Sequence, residues 1–350
     1  MNSLFNKGGF IDRRSFFKMS GLMGIGLAAT GIFPEIAGAV KFNRDLYKIA
    51  GTRFAMGTSV SMTLLHSSRD KAEKAMELAF DEIIRLSSLM NRFDERTSIA
   101  YLNSNGMLND ILPEIWDVIS SSIRYYRLTN GAFDISVKPI IDLFLEKLTE
   151  EHKPFPSEAE LEEAISKVGL EKVEISGTRI IFKKPGMGIT LDGIAKGYIL
   201  DKVSKFLLSH NIENHLINAG GDIRVKGTRL DGKPWTIAIQ DPTKKQQHKD
   251  IIHLTDAAVA TSGNYEVYYD HEKMFHHIVN PKNGLSSYTN SSVSVIAPSA
   301  TEADALSTSV FVMDPADGRK LIDSLPGCES LIISRTNRKI RSRGWKSATI

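Results

Sequence analysis

Cysteine is almost absent. The 350-residue chain carries one, Cys328, so it can form no internal disulfide even in an oxidising compartment. A lone thiol without a His-rich neighbourhood reads as structural rather than nucleophilic. No Cys, Glu or His stands at a zinc-protease spacing from His277, which argues against a zinc centre there. Long runs of one charge are missing too. The 44 Lys and Arg are interspersed with 41 Asp and Glu for a net charge of +3, so no nucleic-acid partner is indicated. The apolar run from Met19 to Phe33 is interrupted by glycines and, at about fifteen residues, is short for a permanent membrane span. Internal repeats and low-complexity linkers are also lacking.

What is present begins with an export-like leader. Arg13-Arg14 is followed by Ser15-Phe16-Phe17-Lys18, then by the apolar run, then by Ala37-Gly38-Ala39. That order resembles a twin-arginine (Tat) signal peptide over residues 1–39 with cleavage after Ala39, although Asp12 stands where Ser or Thr is usual. The mature domain, 40–350, is then expected in the periplasm or another extracytoplasmic compartment. Cys328 lies far from the N-terminus, so no lipid anchor is expected. A signal anchor left uncut is the alternative.

Beyond the leader the chain alternates helical and β periods. Ala72, Ala75, Met76, Ala79, Phe80, Ile83 and Leu86 recur at helical spacing between Arg69 and Leu89. A second helix is predicted after Pro113, with Ile115, Ile119, Ile123 and Tyr126 on one face and Asn130-Gly131 as its stop. A third opens at the capping box Ser157-Glu-Ala-Glu160 and ends near Gly169. "VEISGTRIIFKK" reads as a hairpin about Gly177, "HLINAGGDIRVKG" as a strand broken by paired glycines, and "WTIAIQ" as a further strand. The C-terminal third adds the strand "SSVSVIAP", helices over Thr301 to Met313 and Pro315 to Leu325, and the strands "SLIISR" and "KIRS". Mixed elements without strict βαβ alternation predict an α+β fold in one compact domain.

Four clusters have chemical character. "ITLDGIAKGY", from Ile189, reads as a β-type run passing through Asp192-Gly193 into a helix start bearing Lys196, a geometry that can hold an anion. Gly220-Gly221 beside Asp222 predicts either close backbone approach to a ligand or a β-bulge. His277, before an apolar pair, is either a proton acceptor for an attacking hydroxyl or an ordinary core or surface histidine. Asp304, Ser307 and Thr308 share one helical face, as an oxygen-rich patch suited to Mg²⁺ or as a dipole-stabilising Asp with back-bonded hydroxyls.

Taken in order, eight stretches resemble the FAD:protein FMN transferase (ApbE) family across nearly the whole mature chain. They are "AMGTSVSM" from Ala55, "NRFDERTSIAYLN" from Asn91, "GAFDISVKP" from Gly131, "LDGIAKGYILD" from Leu191, "NAGGDI" from Asn218, "ATSGNY" from Ala260, "HIVNPKNG" from His277 and "ADALST" from Ala303. The resemblance implies a single flavin-transferase domain that uses FAD as substrate and Mg²⁺ as cofactor. It places Met56 and Phe93 at the flavin, Ala132, Phe133 and Asp134 on the FAD, and Lys196 and Val279 around the pocket. The metal is expected on the Gly193 carbonyl, Asp304 and Thr308, Ser307 standing where some relatives carry a further Asp ligand, and His277 is the expected base.

The implied reaction transfers FMN to a Thr or Ser hydroxyl of an acceptor redox protein and releases AMP. Its alternatives are FAD pyrophosphatase activity and a non-catalytic flavin carrier. Family acceptors carry a pattern like Asp-x-x-(Ser/Thr)-Gly-Ala-Thr, which this chain lacks, so the partner is expected to be a separate exported protein or a membrane-bound redox complex. Registered on Lys196-Gly197-Tyr198, relatives often have Asp where this chain has Thr190 and a small residue where it has Asp192. Either Thr190 or Asp192 therefore takes over that contact with the cofactor.

Overall fold

The helical period after Ser68 becomes α1, Arg69–Met90, in the computed structural model, which describes residues 37–43, 46–148, 155–243, 248–264, 276 and 278–348. The Ser68 side chain accepts the Lys71 N–H at 3.4 Å and so starts the helix. All seven apolar positions expected on its inner face are buried, each large one contributing roughly 1.5–3 kcal/mol.

The next helices are α2 (Ser98–Asn105), α3 (Pro113–Leu128), α4 (Lys138–Leu148) and α5 (Glu158–Ser166). The capping box at Ser157 and Glu160 is formed in both directions. In α3 the buried stripe is Ile115, Val118, Ile119, Ser122 and Tyr125, while Ile123 and Tyr126 are only partly buried. The expected face is therefore rotated. Ser122 can lie inside because its hydroxyl donates to the Val118 carbonyl at 2.8 Å. Three more helices follow: α6 (Ala195–Ser209), α7 (Ala300–Val312) and α8 (Pro315–Asp323).

Nine strands form the main sheet: β1 (Ala37–Asn43), β2 (Leu46–Ala55), β3 (Thr58–His66), β7 (Asn214–Ala219), β8 (Asp222–Lys226), β11 (Ala258–Gly263), β12 (Asn290–Ala297), β13 (Glu329–Ser334) and β14 (Lys339–Arg341), paired antiparallel in that order. A small sheet joins β4 (Met107–Leu108) and β5 (Val173–Ser176) to either side of β6 (Arg179–Phe182). The remaining pair, β9 (Trp235–Gln240) and β10 (His248–Leu254), is a separate ribbon. The stretch expected as one broken strand is the β7–β8 hairpin, in which Ala219 faces Asp222 and Gly220 (φ 63°) and Gly221 (φ 105°) make the turn.

Strand alternation divides the core in two. Ala258 and Ala260 of β11 and Ile332 of β13 join the large core under α1, α6 and α7, whereas Val259, Leu331 and Ile333 join a second core with Trp235, Ile237, Ile252 and Trp345. Cys328 is buried in the first core. Helices therefore cover one face of the sheet and the β9–β10 ribbon covers the other. Of the expected leader only Ala37–Ala39 is described, at the start of β1; residues 1–36 lie outside the described residues. Among the described residues no helix is long and apolar enough to cross a membrane.

Candidate active site

Ala55 pairs with Thr58 across a two-residue turn in which Met56 (φ 52°) and Gly57 (φ 72°) are both left-handed. This is the turn that suits a twisted hairpin, with Met56 occupying a conformation usually left to Gly, Asn or Asp. It presents Met56 to a cleft of about 480 Å³, counting its open mouth, whose walls include Met90, Phe93, Leu191 and Ile199. Arg92, Asp192 and Lys196 supply its charge. Met56, Phe93 and Lys196 thus line one cleft.

The run Ile189–Leu191 is not a strand. Its backbone is instead held by side chains and loops: Ile189 N donates to Asn103 Oδ1 at 2.7 Å, Asn103 Nδ2 donates back to the Ile189 carbonyl at 2.9 Å, and Thr190 N donates to the Ile135 carbonyl at 2.7 Å. Thr190 is buried, and its hydroxyl accepts the Asp192 N–H at 3.3 Å. Asp192, two residues on, reaches the cleft.

Behind the cleft α6 and α7 meet. Gly197 N donates to Asp304 Oδ2 at 3.0 Å, and a Cβ on Gly193 would stand 3.1 Å from Thr308 Oγ1. Gly193 therefore lies against Thr308 and Gly197, four residues on, against Asp304, one helical turn from Thr308, with Ser307 and Ser262 beside Thr308: the Ser262 hydroxyl lies 2.8 Å from Ser307 Oγ and 3.3 Å from Thr308 Oγ1. Lys196 Nζ pairs with the buried Asp222 Oδ2 at 2.7 Å, and Asp222 Oδ1 accepts the Thr261 N–H at 3.1 Å. Burial, reinforced by the nearby Asp222 charge, raises the Asp304 carboxyl above the ordinary carboxylate range.

This donor set fits a hard divalent cation. The buried carboxylates of Asp222 and Asp304 lie near the Lys196 ammonium, and the hydroxyls of Ser307 and Thr308, on the same stretch of α7 as Asp304, gather with that of Ser262 beside Gly193. Among the described residues no three His, Cys, Asp or Glu side chains gather into a cage. A cation here would rely on hydroxyl and backbone oxygens, and on its substrate, beside Asp304.

The remaining predicted residues lie farther along the same wall or away from it. Phe133 is buried in edge contact with Tyr125, and its N–H donates to Thr129 Oγ1 at 2.9 Å, after a turn through Asn130 (φ 49°) and Gly131 (φ 77°). Ala132 is only partly buried beside it. Asp134 Oδ1 accepts from Ser136 N at 2.8 Å and Ser136 Oγ at 2.6 Å, and burial pushes its carboxyl up to about 6. Val279 packs in a satellite cluster with Val137, Ile140 and Phe144, and is not part of the cleft wall. His277 lies outside the described residues. His276 is buried, with Nε2 3.0 Å from the Ser287 carbonyl and Nδ1 accepting the Ile278 N–H at 3.2 Å, which is a structural role.

Three contributors were missed in the sequence: Arg92, Asp222 as the partner of Lys196, and Ser262. Each lies inside a stretch that was singled out, but its partner is distant in the chain, so no spacing rule could pair them.

Residues 56–332 match the model of the ApbE family. Among curated proteins, an FAD:protein FMN transferase of Haemophilus influenzae is 29% identical over 74% of this chain and 78% of its own length. One of Vibrio cholerae is 30% identical over 77% and 82%. Among solved structures, the ApbE protein of Thermotoga maritima aligns with a TM-score of 0.76 and 34% identity, covering 85% of this chain and 97% of that one. The flavin transferase ApbE from Vibrio cholerae aligns at 0.74 and 25%, covering 87% and 98%.

Proposed function

The chain belongs to the ApbE family, and from that premise we propose that it transfers FMN from FAD to a Thr or Ser hydroxyl of an acceptor redox protein, releasing AMP with the help of Mg²⁺. The observation that carries this is the packing of Gly193 on Thr308 and of Gly197 on Asp304, one helical turn apart, beside a cleft lined by Met56, Phe93 and Lys196. An apolar slot suits a flavin ring, and an oxygen-lined cation site next to an ammonium suits a pyrophosphate.

In the proposed reaction the acceptor oxygen bonds to the FMN-side phosphorus, the bond from that phosphorus to the bridging oxygen breaks, and AMP leaves with the bridging oxygen. The hydroxyl proton passes to His277, a transfer worth roughly two to four powers of ten in rate when well placed. Lys196, held by Asp222 at 2.7 Å, places its positive charge beside the cleft. Asp304, Thr308 and the Gly193 carbonyl would hold the Mg²⁺, which would supply positive charge to offset that of the phosphate oxygens. Asp134, Ala132 and Phe133 would support the FAD from the loop after α3, with Thr190 behind the Asp192 loop, while Val279 would act only from the satellite cluster outside the cleft wall. The acceptor would carry an Asp-x-x-(Ser/Thr)-Gly-Ala-Thr-like motif. The twin-arginine-like leader supports an extracytoplasmic site of action, with an exported or membrane-bound redox protein as target.

The test is to incubate the protein with FAD, Mg²⁺ and an acceptor fragment bearing the threonine motif, then weigh the acceptor. A gain of one FMN is expected. Free FMN and AMP with an unmodified acceptor would replace transfer by hydrolysis, and FAD binding without either product would leave a carrier.

A further inference from the structure

Arg92 is the least expected group in the cleft. Its side chain is 7% exposed, its guanidinium stacks over the Phe93 ring at 4.3 Å, and Nη2 lies 3.4 Å from Asp192 Oδ2. A second carboxylate, Asp142, stands 3.8 Å from Nη1, while the buried Nε has no hydrogen-bond partner. Asp192 keeps 35% of its side chain exposed, and both residues line the cleft. A buried donor without a partner is destabilising, so a ligand acceptor at this point would remove a standing penalty.

An anion is a poor match, because Asp192 and Asp142 already balance the guanidinium and would repel a phosphate. A neutral group that alternates acceptor, donor and acceptor is a good match, since one carboxylate and one guanidinium can read it together. The cyclic imide edge of an isoalloxazine ring, C2=O, N3–H and C4=O, has that pattern. We infer that Arg92 and Asp192 form a subsite for the imide edge of the flavin, with Asp192 accepting N3–H and Arg92 donating to a flanking carbonyl. The inference rests on the flavin-transfer proposal and adds which end of the ring lies between α1's C-terminus and the Asp192 loop. The pyrophosphate is left to Lys196 and the cation site.

The test is a binding titration of the full chain without turnover, followed by flavin fluorescence, with FAD and with FAD methylated at N3. Wild type should bind FAD at least about tenfold tighter than the methylated form. Asp192→Ala should weaken FAD by about tenfold or more and bring the two ligands to near-equal affinity, because the acceptor is gone and the methyl group gains room. Arg92→Met, which keeps the apolar stem, should weaken both ligands while retaining the preference for N3–H. Equal binding of the two ligands by wild type, or an undiminished preference in Asp192→Ala, would overturn the inference while leaving flavin binding intact. Failure of wild type to bind FAD at all would overturn the flavin proposal and this subsite with it. Thermal melting of each variant separates lost binding from lost folding.

Discussion

His215 has no exposed surface. Its Nδ1 donates to the Ile212 carbonyl at 2.9 Å, and its Nε2 is 2.8 Å from Ser204 Oγ, a hydroxyl that can donate to it. Burial lowers its pKa from 6.5 to about 4. Between those values the unfolded chain binds the proton and the folded chain does not, so stability is lost as pH falls from 6.5 toward 4. At pH 5 the loss is roughly 2 kcal/mol. The raised Asp134 carboxyl acts in the opposite sense between its ordinary value and about 6, so the comparison needs a variant. Urea midpoints of wild type and His215→Asn should converge as pH drops from 7 to 5; parallel loss would exclude His215 as the source. Asp304→Asn keeps an acceptor for Gly197 N–H but removes the charge. It should cost at least about a hundredfold in Mg²⁺-dependent turnover, and undiminished turnover would take Asp304 out of the metal site.

At the level of elements, the contact between α6 and α7 is closer than side chains allow. A Cβ on Gly197 would stand 2.2 Å from the Ala300 carbonyl oxygen, a backbone atom with no rotamer to yield. Gly197→Ala should push the helices apart and cost about 1–3 kcal/mol, read as a lower melting temperature together with weaker FAD binding. An unshifted melting temperature would mean that the helices do not need this approach. The positions of α1, α3, α5, α7 and α8 were legible in the sequence because apolar periods and caps are local, as at Ser68 and Ser157, whereas α2 and α4 were not read. The inner face of α3 was legible only in part, since Ser122 looks polar until its bond to Val118 is known. The paired glycines at 220 and 221 signalled a special backbone without saying that it was a hairpin turn. Asp304 and Thr308 were legible as a helical spacing, whereas Arg92 with Asp192 and Lys196 with Asp222 were not, because nothing local links residues so far apart in the chain.

At the scale of the molecule, the leader and the domain make separable claims. If residues 1–39 direct export, replacing Arg13 and Arg14 together with Lys should retain the protein in the cytoplasm, and the exported wild type should begin at Val40 on N-terminal sequencing. Export unaffected by the double change would remove the twin-arginine assignment without touching the proposed chemistry. The hydrogen bond from Gly197 N–H to Asp304 joins the helix beside the cleft to the proposed cation ligand through one backbone amide. Were FAD and Mg²⁺ to bind as proposed, both would bear on this one strut, so each is expected to feel the other. Saturating Mg²⁺ is expected to tighten FAD by about fivefold or more, and linkage then requires FAD to tighten Mg²⁺ by the same factor. Titrations run in both orders would read that factor twice; a factor of one in both would mean that the strut carries no coupling.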